Sequence, residues 1–191
     1  MDTRVNTKIF LKTVFLFPLF MIFIMFPLCV LIVITAFLPK GRVLATKLYE
    51  FFGWIGIVLV GVELNTIGAE KIDPKKSYVV IGNHPSTLDI FTHITALPVS
   101  IRFLTKTELF RIPIFGRVLK TLGLPRIDRK NAKANFEKIN DSINQVIKLG
   151  NSIMIFPEGK RSNQKELLPF KKGASHIAKN FNLPIIPVSY T

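Results

Sequence analysis

The chain holds three histidines among its 191 residues, and one of them, His84, sits in the stretch VVIGNHPSTLDIF (79–91), directly after an apolar run and five residues before Asp89. A histidine backed by a carboxylate is a general base, because the acid fixes the ring tautomer and stabilises the imidazolium formed on proton abstraction. The competing reading is an ordinary strand end. An aspartate at the start of the next helix is favoured by the helix dipole alone, and with twelve acidic residues in the chain the offset also arises by chance. His93, four residues beyond Asp89, brings to mind a His84–Asp89–His93 metal set. No second carboxylate or cysteine nearby completes one, so His93 reads as a helix residue and no metal is expected. His176 lies beside the apolar face of a later helix and reads the same way.

Two further stretches carry chemistry. PRIDRK (125–130) groups Arg126, Arg129 and Lys130 around Asp128, and FPEGKRS (156–162) follows an apolar run with Glu158, Gly159, Lys160, Arg161 and Ser162. Arginine forks suit phosphate, and glycine lets backbone approach a ligand closely. Such charge runs are usually solvated loops, but a buried strand emptying into an acid, a glycine and two cations is harder to read as a plain turn. The sequence has no G-x-S-x-G elbow, no P-loop and no dinucleotide fingerprint. Cys29, the only cysteine, lies in an apolar leader, which excludes a disulfide framework and argues against a thiol nucleophile. The simplest chemistry left is direct attack by a substrate hydroxyl activated by His84, with arginines holding a phosphate on that substrate. No cofactor is implied.

The elements that must position these residues follow from periodicity. Apolar runs at 77–82, 101–106, 152–156 and 184–190 predict strands, and 88–97, 112–123, 132–149 and 173–181 predict helices. Ser86 or Thr87 is placed to cap the first helix, Pro113 to start the second and Gly123 to end it. Phe136, Ile139, Ile143, Val146 and Ile147 share one face of the third. Strand–helix alternation with short loops predicts an α/β domain over 61–191, a mixed, largely parallel sheet with flanking helices. Ligands bind outside the carboxyl ends of such strands, and all three chemistry-bearing stretches are expected there.

Residues 1–60 read as a membrane-associated leader. Residues 14–39 contain no charge and are long enough to span a bilayer, too long for a signal-peptide core. Pro18 and Pro27 interrupt the run, and basic residues flank both sides (Arg4, Lys8, Lys12; Lys40, Arg42, Lys47), so charge does not orient a single span. The expectation is a membrane helix or a helical hairpin. The second apolar stretch, 48–64, is either its other arm or a core helix of the domain.

A formal net charge of +14 and a pI near 10.1 call for an anionic partner. Charge alone admits membrane phospholipid, phosphorylated substrate or nucleic acid. No nucleic-acid module appears, and the leader would tether the chain to a membrane, so nucleic acid is not expected.

Taken together, Asn83, His84 and Asp89 (N-H-x-x-x-x-D), Arg126 to Arg129 (R-I-D-R) and Phe156 to Ser162 (F-P-E-G-x-R-S) resemble the motifs of the lysophospholipid and glycerol-phosphate acyltransferases, in the family's order and spacing. The proline-containing stretch Leu183 to Val188 resembles a fourth motif, and TELFRIPIFG (107–116) and FKKGA (170–174) also look like the family. The resemblance covers about residues 78–188. It implies acyl transfer from acyl-CoA or acyl-carrier protein to the free hydroxyl of lysophosphatidate, giving phosphatidate. Glycerol-3-phosphate, another lysophospholipid or a lyso-aminolipid are the alternative acceptors. His84 would be the base and Asp89 its partner, with Asn83, Arg126, Arg129, Glu158, Gly159, Arg161 and Ser162 as substrate contacts. Membrane phospholipids would be partners and the cytoplasmic face of the inner or plasma membrane the location. A non-catalytic binder of anionic lipid remains the reading from another class. Many relatives continue beyond the fourth motif, so either this is a short member or a C-terminal part is missing after Thr191.

Overall fold

The computed structural model describes residues 19–128, 136–161 and 167–189. Four parallel strands form its centre: β1 (Val79–Gly82), β2 (Ile101–Phe103), β5 (Ser152–Ile155) and β6 (Ile185–Val188), in the order β2-β5-β1-β6. Val80 lies opposite Met154 on β5 and Ile186 on β6, and Arg102 on β2 lies opposite Ile153. A separate parallel pair joins β3 (Thr105–Lys106) to β4 (Arg126–Ile127). Every strand pairing among the described residues is parallel, as expected of a sheet covered on both faces.

Successive strand residues point to opposite faces, and two cores follow from that alternation. Val79, Ile153 and Ile155 face α5 (Phe136–Lys148) and α6 (Gly173–Phe181), packing with Ile143, Val146 and Ile177. Val80, Ile101 and Met154 face the other way, toward α1 (Phe26–Thr35), α2 (Gly41–Val60), α3 (Asp89–Ala96) and α4 (Phe115–Thr121). Leu28 and Ile32 of α1 and Ala45 and Tyr49 of α2 belong to this second core together with Ile94 of α3. The second apolar stretch is therefore both things that the sequence allowed. It packs beside α1 as a hairpin arm and also builds the core of the domain. Gly53 and Gly56 make the contact with α3 close, since a β-carbon at either would collide with Ile94 or Phe91.

Pro27 cannot donate the hydrogen bond that an α-helix requires at its position. The chain meets this with a π-helical stretch at Met21–Met25 and resumes as α1 at Phe26. Among the described residues, Gly41–Val60 is long and apolar enough to cross a membrane. Phe23 (69% exposed), Phe37 (85%) and Trp54 (51%) stand out from the hairpin into solvent.

Three sequence expectations change. The stretch 101–106 is not one strand: Leu104 N–H still donates to Met154 O, but Thr105 N–H turns to Pro125 O, so the chain leaves one sheet for the other at that point. The stretch 112–123 starts its helix later, at Phe115. A 3-10 turn at Thr107–Arg111 and a tight turn at Ile114 (φ 61°) precede it, because Gly116 packs under the Phe110 carbonyl where a β-carbon would not fit. Arg126 and Ile127 are themselves the short strand β4 and do not follow one. Residues 132–135 of the third predicted helix lie outside the described residues.

One buried charge ties these layers together. Arg102, on β2, donates from Nε to Leu122 O (2.9 Å), from Nη1 to Ser100 Oγ (2.9 Å) and from Nη2 to Thr46 Oγ1 (2.7 Å), and its guanidinium lies 5.2 Å from the centre of the Tyr49 ring. The sheet, α2 and the end of α4 are thus held by one side chain. Burial lowers its pKa from the ordinary arginine value, and the fork of donors offsets the cost of placing it there.

Candidate active site

β1 and β5 are neighbours, so the loops leaving their carboxyl ends, NHPSTL and FPEGK, lie side by side. His84 Nδ1 lies 2.7 Å from Asp89 Oδ2, with the two side chains 16% and 5% exposed. A carboxylate oxygen accepts, so Nδ1 carries the proton and Nε2 is left with the lone pair. Asp89 Oδ2 also accepts from Ser86 N–H (3.0 Å), while Ser86 Oγ accepts from Leu88 N–H (3.1 Å). Ser86 therefore braces the turn into α3, and Asp89 opens that helix.

The loop after β5 completes the mounting of His84. The ring of Phe156 stacks on the imidazole, with centroids 3.8 Å apart and planes 8° from parallel. Glu158 is buried (5% exposed): Oε1 accepts from His84 N–H (3.3 Å) and Oε2 from Leu168 N–H (3.0 Å). Its carboxylate joins the base loop to the segment after the third motif. Gly159 has φ +74°, and a β-carbon there would lie 2.8 Å from Lys171 Nζ, so the exposed Lys171 crosses directly over the loop. Lys160 and Arg161 are exposed beside it. Arg126 is exposed and packs over the Phe110 ring at 5.6 Å. Asn83 is half-buried.

Of the nine sequence-predicted site residues, His84, Asp89 and Glu158 are brought together by the hydrogen bonds above, Gly159 and Arg161 continue the Glu158 loop, and Asn83 adjoins His84. Arg126 lies on the separate β3–β4 pair. Arg129 and Ser162 are outside the described residues. His93 points Nδ1 at the backbone carbonyl of Asp89 (2.6 Å). Among the described residues, no group of three His, Cys, Asp or Glu side chains is placed to hold a metal ion. The sequence reading missed Phe156 as the ring stacked on His84 and Lys171 as the side chain lying across Gly159. FKKGA was noted only as family-like.

An apolar cavity of about 160 Å³ opens beside the site, between α1, α2 and α4. Cys29, Tyr49, Phe52, Ile90, Phe103 and Val118 are among its lining residues. Ile90 adjoins Asp89 in sequence, and Phe103, which lines the cavity, stacks on Phe156 (6.0 Å between centroids), the ring that in turn stacks on His84.

A histidine backed by a buried carboxylate at the carboxyl edge of a parallel sheet has the geometry of a general base. A family model described as Acyltransferase matches residues 63–191, and the chain belongs to that family. The 1-acyl-sn-glycerol-3-phosphate acyltransferase of Cocos nucifera is 35% identical over 154 residues, 80% of this chain and 49% of the relative. The enzyme of the same name from Saccharomyces cerevisiae is 35% identical over 133 residues, 69% of this chain and 44% of the relative. The chain thus spans about half the length of the curated relatives it matches. The crystal structure of the 1-acyl-sn-glycerophosphate (LPA) acyltransferase PlsC from Thermotoga maritima aligns with a TM-score of 0.69 over 95% of this chain and 72% of that one. At 24% identity, that likeness shows the fold.

Proposed function

We propose that the chain transfers a fatty acyl group from a soluble thioester, acyl-CoA or acyl-carrier protein, to the free hydroxyl of lysophosphatidate, giving phosphatidate at a membrane surface. The observation that carries this reading is the 2.7 Å His84–Asp89 contact, which leaves Nε2 as a base at the sheet edge. The names of the Cocos and Saccharomyces relatives favour lysophosphatidate among the possible acceptors.

The reaction needs no protein nucleophile. His84 Nε2 takes the proton of the acceptor hydroxyl as its oxygen bonds to the thioester carbonyl carbon. Asp89 stabilises the imidazolium. The tetrahedral intermediate then breaks its carbon–sulfur bond, and the departing thiolate takes the proton back from His84. Phosphate on the acceptor is held by Arg161 and Arg126, with Arg129 and Ser162 assigned to the same task from their motif positions. Asn83 and Gly159 bring backbone and amide groups to the substrate, and Glu158 serves by bracing the loop that carries them. The apolar cavity takes part of the acyl chain. Its volume, about 160 Å³, is well below the roughly 300–1,000 Å³ of pockets that enclose whole ligands.

The α1–α2 hairpin supplies the attachment. Its exposed Phe23, Phe37 and Trp54 suit the boundary between lipid and water, and Lys40, Arg42 and Lys47 suit anionic headgroups. Soluble thioester donors place the site on the cytoplasmic face.

Labelled acyl-CoA or acyl-carrier protein offered to membranes containing the protein, with lysophosphatidate, glycerol-3-phosphate or a second lysophospholipid as acceptor, tests the reading. Label should appear in phosphatidate first. Preferred transfer to another acceptor would replace lysophosphatidate, and transfer to none would favour a lipid-binding role.

A further inference from the structure

α3 carries a second histidine whose surroundings are built as closely as those of the base. His93 is 1% exposed. Its Nδ1 lies 2.6 Å from the carbonyl oxygen of Asp89, to which Thr92 Oγ1 also donates (3.1 Å). A carbonyl only accepts, so His93 carries its proton on Nδ1. On the far side of the ring, Nε2 lies against β1, where a β-carbon on Gly82 would come within 2.8 Å of it. The ring meets Phe156 edge-on, with centroids 5.5 Å apart and planes at 78°, and Phe156 is the ring on which His84 stacks.

The contacts close a loop. His84 is bonded to the Asp89 carboxylate, the Asp89 carbonyl is bonded to His93, His93 abuts Phe156, and Phe156 backs His84. We propose that His93 is a positioning residue for the dyad: it fixes the first turn of α3, and so the Asp89 carboxylate, through its Nδ1–H, and it fixes the plane of the His84 ring through Phe156. The inference rests on the reading of His84 as the base. An ordinary apolar residue at 93 would fill the space and keep the helical backbone bond, but it would supply no side-chain donor to the Asp89 carbonyl. A helix residue facing an apolar wall has no need of an imidazole. One placed to hold the first turn of a catalytic helix does, because small displacements of a reacting group cost rate steeply.

Burial keeps His93 neutral at ordinary pH, with its pKa lowered to about 4. Desolvation outweighs the hydrogen bond to the Asp89 carbonyl and the Asp89 charge, both of which raise the pKa, while the charge of His84 adds to the lowering. Asp89 and His84 are the titratable groups acting on it. A neutral ring is the form that fits beside Phe156 and Phe103, which it meets edge-on.

The test uses the full chain in detergent or nanodiscs with nitrogen-15-labelled histidine, since the sequence has only three such rings to resolve. At neutral pH His93 should be the Nδ1–H tautomer. Finding the Nε2–H tautomer would overturn the proposal without any variant, and whether or not acyl transfer is detected. His93→Leu and His93→Asn then separate donor from filler, because the asparagine amide nitrogen can reach the same carbonyl. In the leucine variant the Nδ1 proton of His84 should lose its hydrogen-bonded shift and kcat should drop about tenfold or more, with KM for the acceptor within about twofold. The asparagine variant should restore both. Equal behaviour of the two variants, or a drop in KM-linked binding alone, would count against positioning. Should the leucine variant fail to fold, Phe156→Leu probes the other contact and should lower kcat with the His84–Asp89 bond retained. An unchanged kcat there would refute that half of the proposal.

Discussion

Acidification should destabilise this protein through His93, and the size of the effect follows from its burial. The ordinary histidine pKa of 6.5 falls to about 4 in the folded chain, chiefly by desolvation. Above pH 6.5 the ring is neutral in both states and its contribution to stability is fully present. As pH falls below 6.5, the unfolded chain takes up a proton that the folded chain refuses. Stability is then lost at up to about 1.4 kcal/mol per pH unit, until the folded ring titrates near pH 4. The total is about 3 kcal/mol, a large share of the roughly 5–15 kcal/mol that holds a domain together. Nearly complete burial leaves no solvent screening to discount. Thermal unfolding of wild type and His93→Asn in the same detergent, at pH 7 and pH 4.5, isolates the effect, because all other groups titrate in both. Wild type should lose the larger share of its stability between the two pH values. Equal losses would show that His93 is not held neutral in the interior, and the reasoning would fail.

Other outcomes follow from the same contacts. Asp89→Asn should lower kcat by about two to four orders of magnitude, since it removes the charge that stabilises imidazolium and disturbs the tautomer. Steady-state rates at equal protein level decide this. Gly56→Ala should cost about 1–3 kcal/mol by driving a methyl into Phe91, and pairing it with Phe91→Leu should recover part of the loss, seen in melting temperatures. Arg102→Met should cost about 1–3 kcal/mol, because the Leu122 carbonyl and the Thr46 hydroxyl lose a buried donor. Denaturant unfolding that leaves this variant as stable as wild type would remove Arg102 from its role.

Much of the site was legible because its parts are local. His84 and Asp89 are five residues apart, and a strand end followed by a helix start brings such a pair face to face. The two buried runs 77–82 and 152–156 announced themselves as strands, and the carboxyl-edge rule located both loops. That the two strands are neighbours, and so that Glu158 reaches His84 N–H, depends on strand order, which no local pattern encodes. Glu158 read as part of a charged loop, yet its carboxylate is buried between two backbone donors from segments far apart in sequence. A clue to Arg102 was present: a charge in the middle of the apolar stretch SIRFL must either turn outward or find partners, and here it finds them. The break at Leu104 left no such trace, since the residues on either side have equal strand propensity and only the pairing partner changes. The second apolar stretch was legible as a hairpin arm or as a core helix, but not as both at once, because Gly53 and Gly56 matter only once α3 is known to lie against them.

The central claim is that His84, oriented by Asp89, is the base of acyl transfer to a phosphorylated lysolipid. The most direct measurement compares wild type and His84→Ala, at equal protein level in membranes, for transfer of labelled acyl groups from acyl-CoA or acyl-carrier protein to lysophosphatidate. The account predicts labelled phosphatidate with wild type and a loss of at least about a hundredfold in the variant. Equal transfer by both proteins would contradict it.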